Sequence, residues 1–289
     1  MTMFLQLLMT GRVLGAFSAL IAVGYTVIYG TVRLLNFAHG DMYMLGAFVA
    51  LSIVLALPAS VVPELALALS IVGTLAAIGV AGFLVRFVLE RVDVKNNAFS
   101  PIIAAVGISL ILQNGALHIW GSRPLAYPLP MAQDFTKPLI TLAVCVLMII
   151  AVDLWVSRSR FGMAMRAVGI DHDAVRLMGI RVDYTLYVTF AVFSAIAGIT
   201  GLMAGSYYGS IQFSMGFLLG LKGFTAAVLG GIGNVRGALL GGFLLGLIEA
   251  FGGGYFGTNW TDVVVFTCLI AVLLVKPSGI LGETVVERM

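Results

Sequence analysis

The sequence has few charged residues. Asp, Glu, Lys and Arg make up 10% of the 289 residues, and 61% are hydrophobic. Soluble domains average about 25% charged and about 45–50% apolar residues. With a mean hydropathy of +1.09, the chain has more apolar surface than a water-soluble fold can bury. Its long continuous apolar runs differ from the short alternating segments of a β-barrel. The composition therefore predicts an all-α polytopic membrane protein.

Cysteine is also scarce, and the usual catalytic motifs are missing. The two cysteines, Cys145 and Cys268, lie inside apolar runs, which argues against a disulfide framework or a metal site. The sequence has no HExxH motif, and no GxSxG motif lies in an apolar run, so an intramembrane hydrolase is excluded. The GGIGNVRG segment lacks the Lys-Ser/Thr ending of a phosphate-binding loop. We expect no enzyme activity, no metal and no cofactor in this chain.

The apolar runs, divided at charged and proline-rich breaks, predict eight or nine helices in one transmembrane domain over residues 1–289. Several have the roughly 17–25 residues needed to cross the hydrocarbon. The predicted spans are 12–30, 42–58, 62–85, 100–120, 138–156, 184–205, 217–235, 238–256 and 261–276.

The distribution of basic residues predicts the orientation. Twelve of the 16 Lys and Arg residues fall on the side that carries loops 86–97 and 157–183. The positive-inside rule makes this side cytoplasmic, together with the C-terminus. Nine spans would put the N-terminus outside. The net charge of +3 comes from residues scattered over several loops, so no nucleic-acid partner is expected.

Polar residues interrupt the first apolar region. In the stretch 24–48, GYTVIYGTVRLLNFAHGDMYMLGAF, a membrane helix is predicted to break around Asn36, His39 and Asp41. An Asp at a helix centre costs about 2.5–3.5 kcal/mol on insertion scales. These side chains are therefore candidates for a translocation path or an inner gate. Asp41 alternatively caps a helix that begins near Met42.

Two further polar pairs lie within apolar runs. Gln113 and Asn114 are adjacent in the fourth span, where they could line the path or bond between helices. Lys222 and Glu249 lie on the two arms of a predicted glycine-rich hairpin over about 217–256. Pairing across the hairpin would neutralise both charges in the low dielectric.

The 35 glycines recur with helical spacing. Small residues at every fourth position let helix backbones approach closely in lipid. The ridges could serve packing within one subunit, or a sliding or dimer interface. The hairpin turn is predicted over 230–237, with Asn234 and Arg236 at its tip. The candidate packing glycines are Gly201, Gly205, Gly233, Gly237 and Gly241.

Residues 157–183 form the longest charged segment. Their pattern predicts an amphipathic helix, a turn near Gly169 with Asp171 as a cap, and a second helix that ends at Gly179. Arg166, Asp173 and Arg176 fall at helical spacing. Such helices need to lie on lipid headgroups or dock into a partner. The predicted apolar side consists of Ala167, Ala174, Met178 and Ile180.

Three motifs carry a family resemblance, and together they cover most of the chain. The stretch 24–48 resembles the signature of the LivH-type permeases of branched-chain amino acid ABC importers. The segment RAVGIDHDAVRLMGI is similar to the coupling segment of that family, and GFTAAVLGGIGNVRGALLGGFLLGLIEA is similar to its C-terminal signature.

The resemblance implies a heteromeric importer in a bacterial inner membrane. This chain would pair with a second, LivM-like permease subunit, two cytoplasmic ATPases would power transport, and a periplasmic binding protein would deliver the substrate. The coupling segment would dock into an ATPase groove and transmit movement to the fifth and sixth spans. Its implied coupling residues are Arg166, Asp173, Ala174, Arg176 and Gly179.

The substrate and the energy source have alternatives. Related permeases for urea, short amides or other amino acids share these motifs. An ion-coupled secondary carrier would hold ion ligands at unwound helices in matched positions of two repeats. The breaks near residues 36 and 234 do not occupy corresponding places. Uptake that stops on ATP depletion but survives an uncoupler would identify the ATP-driven importer.

Overall fold

A computed structural model describes residues 3–58, 61–92, 99–128, 136–276 and 278–282. Residues 93–97 of the predicted cytoplasmic loop and the last seven residues of the chain lie outside the described residues. The helices are α1 Met3–Val32, α2 Ala38–Ala56, α3 Pro63–Glu90, α4 Ser100–Trp120, α5 Thr136–Arg158, α6 Arg160–Ile170, α7 His172–Leu177, α8 Val182–Tyr208, α9 Met215–Gly230, α10 Val235–Phe256 and α11 Thr261–Val275. A 3-10 turn, Thr258–Trp260, precedes α11, and two short strands are β1 Leu125–Ala126 and β2 Ser210–Ile211.

Eight helical segments in the described residues are long and apolar enough to cross a membrane: α1 to α5, α8, α10 and the segment Thr258–Val275. Helix α9 is apolar but has only 16 residues. At 1.5 Å per residue it extends about 24 Å, which is less than the roughly 30 Å of hydrocarbon. The prediction of an all-α polytopic membrane protein with eight or nine membrane helices is confirmed.

The centre of the molecule consists of α1, α2 and α8. Helix α1 packs against α8, α9 and α10, and α2 packs against α3, α8 and α9. Most of α1, α2 and α8 is buried, whereas α3, α4, α5 and α11 keep most of their surface exposed. Since the peripheral helices are as apolar as the central ones, their outward faces suit lipid or another membrane subunit.

The glycine ridges bring helix backbones into contact within this one chain. A Cβ on Gly201 would overlap the carbonyl oxygen of Tyr43 in α2, and one on Gly241 would overlap that of Ala226 in α9. Gly237 lies against the backbone of Gly230 in the same way, and Gly205 packs against β2 and Tyr127. The ridges therefore act in packing within the subunit.

The turn between α9 and α10 is shorter than predicted. Helix α9 ends at Gly230 because Gly231 and Gly233 adopt φ angles of 105° and 97°, which disfavour residues with a side chain. Asn234 then caps α10 by accepting hydrogen bonds from the N–H groups of Arg236 (3.0 Å) and Gly237 (3.1 Å). Arg236 and Gly237 are thus helical, and Gly233 is a turn residue at which an added Cβ would meet no described atom within 4 Å, so its predicted packing role is not seen.

A later segment of the chain closes this turn. The N–H groups of Ile280 and Leu281 donate to the carbonyl oxygens of Leu229 (2.9 Å) and Gly230 (3.0 Å). The side chain of Asn234 donates to the carbonyl of Leu281 at 3.1 Å. Orphan carbonyls at the end of α9 are satisfied by this pairing.

Strands β1 and β2 join two loops. They pair antiparallel, with Leu125 opposite Ile211 and Ala126 opposite Ser210. The end of α4 is also attached to α2, since the indole of Trp120 donates to Ser52 Oγ (3.0 Å) and stacks on Phe48.

Candidate functional site

The break between α1 and α2 lies at residues 33–37. Arg33 ends α1 with a φ of 54°, the one positive φ at a non-glycine residue in the described part of the chain. Asn36 lies in the break, and His39 lies in the first turn of α2. The prediction that Asp41 caps a helix starting near Met42 is wrong. Helix α2 begins at Ala38, so Asp41 is already helical.

Asn36, His39 and Asp41 are three buried polar residues at the start of α2, and we call this set the α2 polar cluster. Their exposed fractions are 3%, 0% and 0%. In the described residues, no regular hydrogen bond reaches Asn36 Oδ1, either ring nitrogen of His39 or either carboxylate oxygen of Asp41. Each buried, unsatisfied polar group costs about 1–3 kcal/mol. Stability therefore does not explain these residue types, which marks the cluster as a functional candidate.

Close contacts with α1 and α9 enclose the cluster. The ring of Tyr25 meets that of His39 edge to face at 5.0 Å between centroids. A Cβ on Gly24 would overlap the His39 ring, and one on Gly216 would lie 2.9 Å from Asp41 Oδ1. Small residues on two helices thus make the space that the polar side chains occupy.

Only one of the two predicted α4 residues reaches this cluster. Gln113 and Ser109 lie close enough to Asp41 to act electrostatically on its carboxylate, although neither completes a regular hydrogen bond to it. Gln113 instead donates to Ser109 Oγ at 2.9 Å. Asn114 is exposed and donates to the carbonyl of Leu110 at 2.7 Å. Both of these bonds stay within α4, and the approach of Gln113 to Asp41 is the contact that links this pair to α2.

The charged segment folds into α6 and α7, with Asp171 between them as the predicted cap. Asp171 accepts hydrogen bonds from the N–H groups of Asp173 (2.9 Å) and Ala174 (3.1 Å). The bonds from Ala174 and Asp173 hold the pKa of the Asp171 carboxyl below its ordinary value. Gly179 follows α7 with a φ of 80°, which fits a helix C-terminus.

The apolar side of this segment agrees with the prediction at Ala167 and Ile180, which pack against its buried residues, and differs at the other two positions. Val168 of α6 and Val175 of α7 are buried, and they pack with Val182 and Leu186 of α8. Ala174 and Met178, which were predicted on the packed side, are exposed. The cap at Asp171 starts a new helix, so the spacing of α6 does not continue into α7.

Helix α6 is attached to the ends of two transmembrane helices. The guanidinium of Arg166 donates to the carbonyl oxygens of Val156 and Ser157 in the last turns of α5. Arg33, at the end of α1, donates to the carbonyl of Gly169 at 3.4 Å. A cavity of about 750 Å³ separates these contacts from the α9–α10 turn, with Arg33, Arg166 and Gly233 among its lining residues.

Helix α7 joins α1 and α8 through polar contacts. A ring nitrogen of His172 lies 3.1 Å from the carbonyl oxygen of Thr31. Arg176 lies 4.0 Å from Asp173 and 3.9 Å from Asp183 at the start of α8. These exposed ion pairs contribute at most about 1 kcal/mol each. They orient α7 more than they stabilise it.

The outward surface of α6 and α7 is apolar beside its charges. Leu177 is 91% exposed, Met178 80% and Ile170 79%. Such side chains are unusual on a short helical segment that is otherwise held in place by caps and ion pairs. We call Ile170, Leu177, Met178 and the exposed Asp173 the α7 surface.

Lys222 has two acidic partners. Its Nζ lies 2.7 Å from Glu249 Oε1 in α10 and 2.9 Å from Asp262 Oδ1 in α11. The side chains of Lys222 and Glu249 are only 13% and 14% exposed, whereas that of Asp262 is 50% exposed. The sequence interpretation missed Asp262 as a partner, although an acid in the first turn of the next apolar run was the available signal.

Comparisons with known proteins agree over almost the whole chain. Residues 7–273 match the family model described as branched-chain amino acid transport system / permease component. The chain is 37% identical to the high-affinity branched-chain amino acid transport system permease protein BraD of Pseudomonas aeruginosa, over 99% of this chain and 98% of that one. Its identity to LivH of Escherichia coli K12 is also 37%, with the same coverage.

A solved structure shows the same fold. The described helices superpose on a chain of PsaBC from Streptococcus pneumoniae, solved in complex with Fab, with a TM-score of 0.53 and 14% identity. The match covers 96% of this chain and 93% of that one. Together with the full-length identities, these matches establish that the chain is a multi-pass membrane protein and belongs to the family of branched-chain amino acid transport system permease components.

Proposed function

We propose that this chain is a permease subunit of an ATP-binding-cassette importer that moves leucine, isoleucine and valine across the bacterial inner membrane. The observation that carries the proposal is the 37% identity, over 99% of the chain, to permeases named for high-affinity branched-chain amino acid transport. The transporter cycles by alternating access, and a periplasmic binding protein supplies most of the substrate specificity.

ATP hydrolysis takes place on two separate cytoplasmic ATPase subunits. Support comes from the α7 surface, where apolar side chains up to 91% exposed stand beside Asp173 and Arg176. An apolar patch rimmed by charges suits a protein partner. Described residues 278–282 lie at the same end of the molecule as the α9–α10 turn, which faces α6 across the large cavity. This arrangement supports a cytoplasmic C-terminus.

The movement of the ATPases reaches the membrane through α6. Its contacts with Val156, Ser157 and the end of α1 join the α7 surface to α5 and α1, and Val175 joins it to α8. Displacement of α7 would thus act on α1, α5 and α8. The resemblance implies movement of the fifth and sixth spans only, which are α5 and α8.

The α2 polar cluster forms part of the path or its inner gate. It lies where α1 is interrupted, and the helices that enclose it include α1, to which α6 is attached. Unsatisfied side chains at such a place can gain hydrogen-bond partners when the surrounding helices move. Gln113 belongs to this site and Asn114 does not, because Asn114 is exposed on α4.

The second permease subunit covers part of the exposed apolar surface of α3, α4, α5 or α11, and lipid covers the rest. Purification of the tagged chain from its native membrane in gentle detergent, followed by mass spectrometry, tests the assembly. We expect a LivM-like permease and two ATPases to be recovered with it. Recovery of the chain alone would contradict the importer.

Uptake measurements test the energy source and the substrate. Leucine uptake should stop when ATP is depleted and should continue with an uncoupler. The reverse pattern would point to an ion-coupled carrier. Uptake of urea or short amides in place of leucine would keep the importer but change its substrate.

A further inference from the structure

A second, smaller cavity opens beside Lys222. Its volume is about 160 Å³, and it lies between α1, α2, α9 and α10. Residues 14–18 of α1 border it, whereas residues 26–33 of the same helix border the large cavity near α6. It therefore lies beside the middle of α1, away from the large cavity at the end of that helix. Drug-sized pockets start at roughly 300 Å³, so this one suits a single small molecule.

The charged group around Lys222 does not balance, and two of its three members, Lys222 and Glu249, border the cavity. One ammonium, that of Lys222, lies between two carboxylates at 2.7 Å and 2.9 Å. With all three ionised, the group carries one excess negative charge. Water screens the charges on the cavity side poorly, because Lys222 and Glu249 are only 13% and 14% exposed, whereas Asp262 is half exposed and does not border the cavity. An incoming ammonium would compensate it.

The other walls combine apolar side chains with available hydrogen-bonding groups. Leu14, Leu218 and Leu219 supply the apolar side. Ser18, which is fully buried, also borders the cavity, and no described residue bonds to its hydroxyl. A buried hydroxyl without a partner costs about 1–3 kcal/mol, and a ligand could satisfy it.

We infer that this cavity is a weak binding site for a zwitterionic α-amino acid with an aliphatic side chain. The ligand ammonium lies at Glu249, its carboxylate at Lys222, and its side chain against Leu218 and Leu219. This assignment rests on the proposed function and names the place in the permease where the substrate is recognised after release from the binding protein.

The same geometry discriminates between the substrate classes left open by the sequence. Urea and short amides carry no ammonium, so they would leave the excess negative charge uncompensated. A carboxylic acid without an amino group would add a second negative charge. Only a zwitterion matches both signs, and the small volume excludes long peptides.

Cysteine labelling tests the site in membrane vesicles that hold the full complex but no binding protein. Gln212 borders the cavity and is exposed, so a Gln212→Cys variant in a Cys145→Ala, Cys268→Ala background reports its occupancy. By mass action, L-leucine at ten times its dissociation constant should slow alkylation roughly tenfold. Acetamide and 4-methylpentanoate should leave the rate unchanged. An Arg236→Cys variant, at the other end of α10, should show no effect of leucine.

A charge variant tests whether protection by leucine depends on the negative charge of the site. Asp262→Asn removes the excess negative charge at a half-exposed position, so the chain should still fold. We expect it to abolish protection by leucine, because Asp262 pairs with Lys222 at the cavity, whereas Asp153→Asn, an acid of α5 that borders a different cavity beside the α9–α10 turn, should keep it. Equal labelling with and without leucine, in a complex that takes up leucine with ATP once the binding protein is added back, would overturn the binding site alone. If the unmodified complex takes up no leucine at all, the proposed function itself is refuted.

Discussion

The guanidinium of Arg166 donates a hydrogen bond to the carbonyl oxygen of Val156, ten residues earlier in the chain. A second bond, 3.2 Å long, reaches the carbonyl of Ser157. Cations at a helix C-terminus satisfy orphan carbonyls and favour the helix dipole. Arg166 therefore holds α6 against the end of α5.

Replacement of this contact should uncouple the transporter. An Arg166→Gln variant should insert and assemble normally but take up less substrate for each ATP hydrolysed, because α6 can then move without α5. The matched control is Arg160→Gln, since Arg160 has an exposed side chain in the same helix. The measurement is uptake and phosphate release in the same proteoliposomes. An Arg166→Gln, Asp173→Asn variant that transports normally would contradict a coupling role for this segment.

The α7 surface should be needed for assembly. Leu177→Asp places a charge on a side chain that is 91% exposed, so the isolated chain should remain folded. We expect the yield of co-purified ATPase to fall at least tenfold, which corresponds to a loss of about 1.4 kcal/mol in binding free energy. Leu274→Asn in α11, at a similarly exposed position, should leave the yield unchanged. Undiminished recovery with Leu177→Asp would show that the partner binds elsewhere.

The cap at Asp171 should make α7 sensitive to acid. Its pKa is lowered in the folded chain, so its stabilising effect is present at neutral pH, above the unfolded value of about 3.9. The effect is lost as pH falls through the folded value. Hydrogen exchange at the amides of Asp173 and Ala174 should therefore accelerate in acid, after correction for intrinsic rates. In Asp171→Asn, which can still cap, this additional pH dependence should disappear. Its persistence in that variant would point to another group.

The three charges at Lys222 should respond unequally to substitution. Lys222→Met leaves two carboxylates side by side and should lower the free energy of unfolding by about 3–5 kcal/mol, as for other broken buried pairs. Glu249→Gln should cost less, since Lys222 keeps Asp262 at 2.9 Å. The double variant should lie closer to the wild type than Lys222→Met does. Thermal unfolding in detergent measures all three, and equal effects of the two single changes would exclude this ordering.

The contact of α8 with α2 should tolerate no added methyl group. A Gly201→Ala variant would press on the carbonyl of Tyr43 and should cost about 1–3 kcal/mol through overpacking. Gly107→Ala is the matched control, because a Cβ there meets nothing within 4 Å. The midpoint of thermal unfolding in detergent should fall only for Gly201→Ala. Equal midpoints would show that the two helices can separate without cost.

Patterns that depend on neighbours in sequence predicted much of this structure. Apolar length identified the spans, and the Asp171 cap followed from residue types a few positions apart. The left-handed Arg33 could not be predicted, because that conformation usually requires Gly or Asn and is held here by packing between α1 and α6. The start of α2 was misplaced for a related reason: Phe37 provides no capping side chain.

Contacts between distant helices were the least predictable part of the site. The approach of Ser109 and Gln113 to Asp41 depends on where α4 docks, which periodicity within α4 does not indicate. The same holds for Asp262, whose pairing with Lys222 depends on the position of α11 beside α9. Lys222 and Glu249, by contrast, are brought together by a local hairpin.

The bonds from Ile280 and Leu281 to the end of α9 also impose an order on biosynthesis. These residues emerge from the ribosome after α10 and α11, so the α9–α10 turn stays incomplete while the preceding helices enter the membrane. Its carbonyl groups gain their partners only when α11 has been made and the chain turns back. Closure of this turn is thus a late folding event, because it requires α9, α10 and α11 to be in place together.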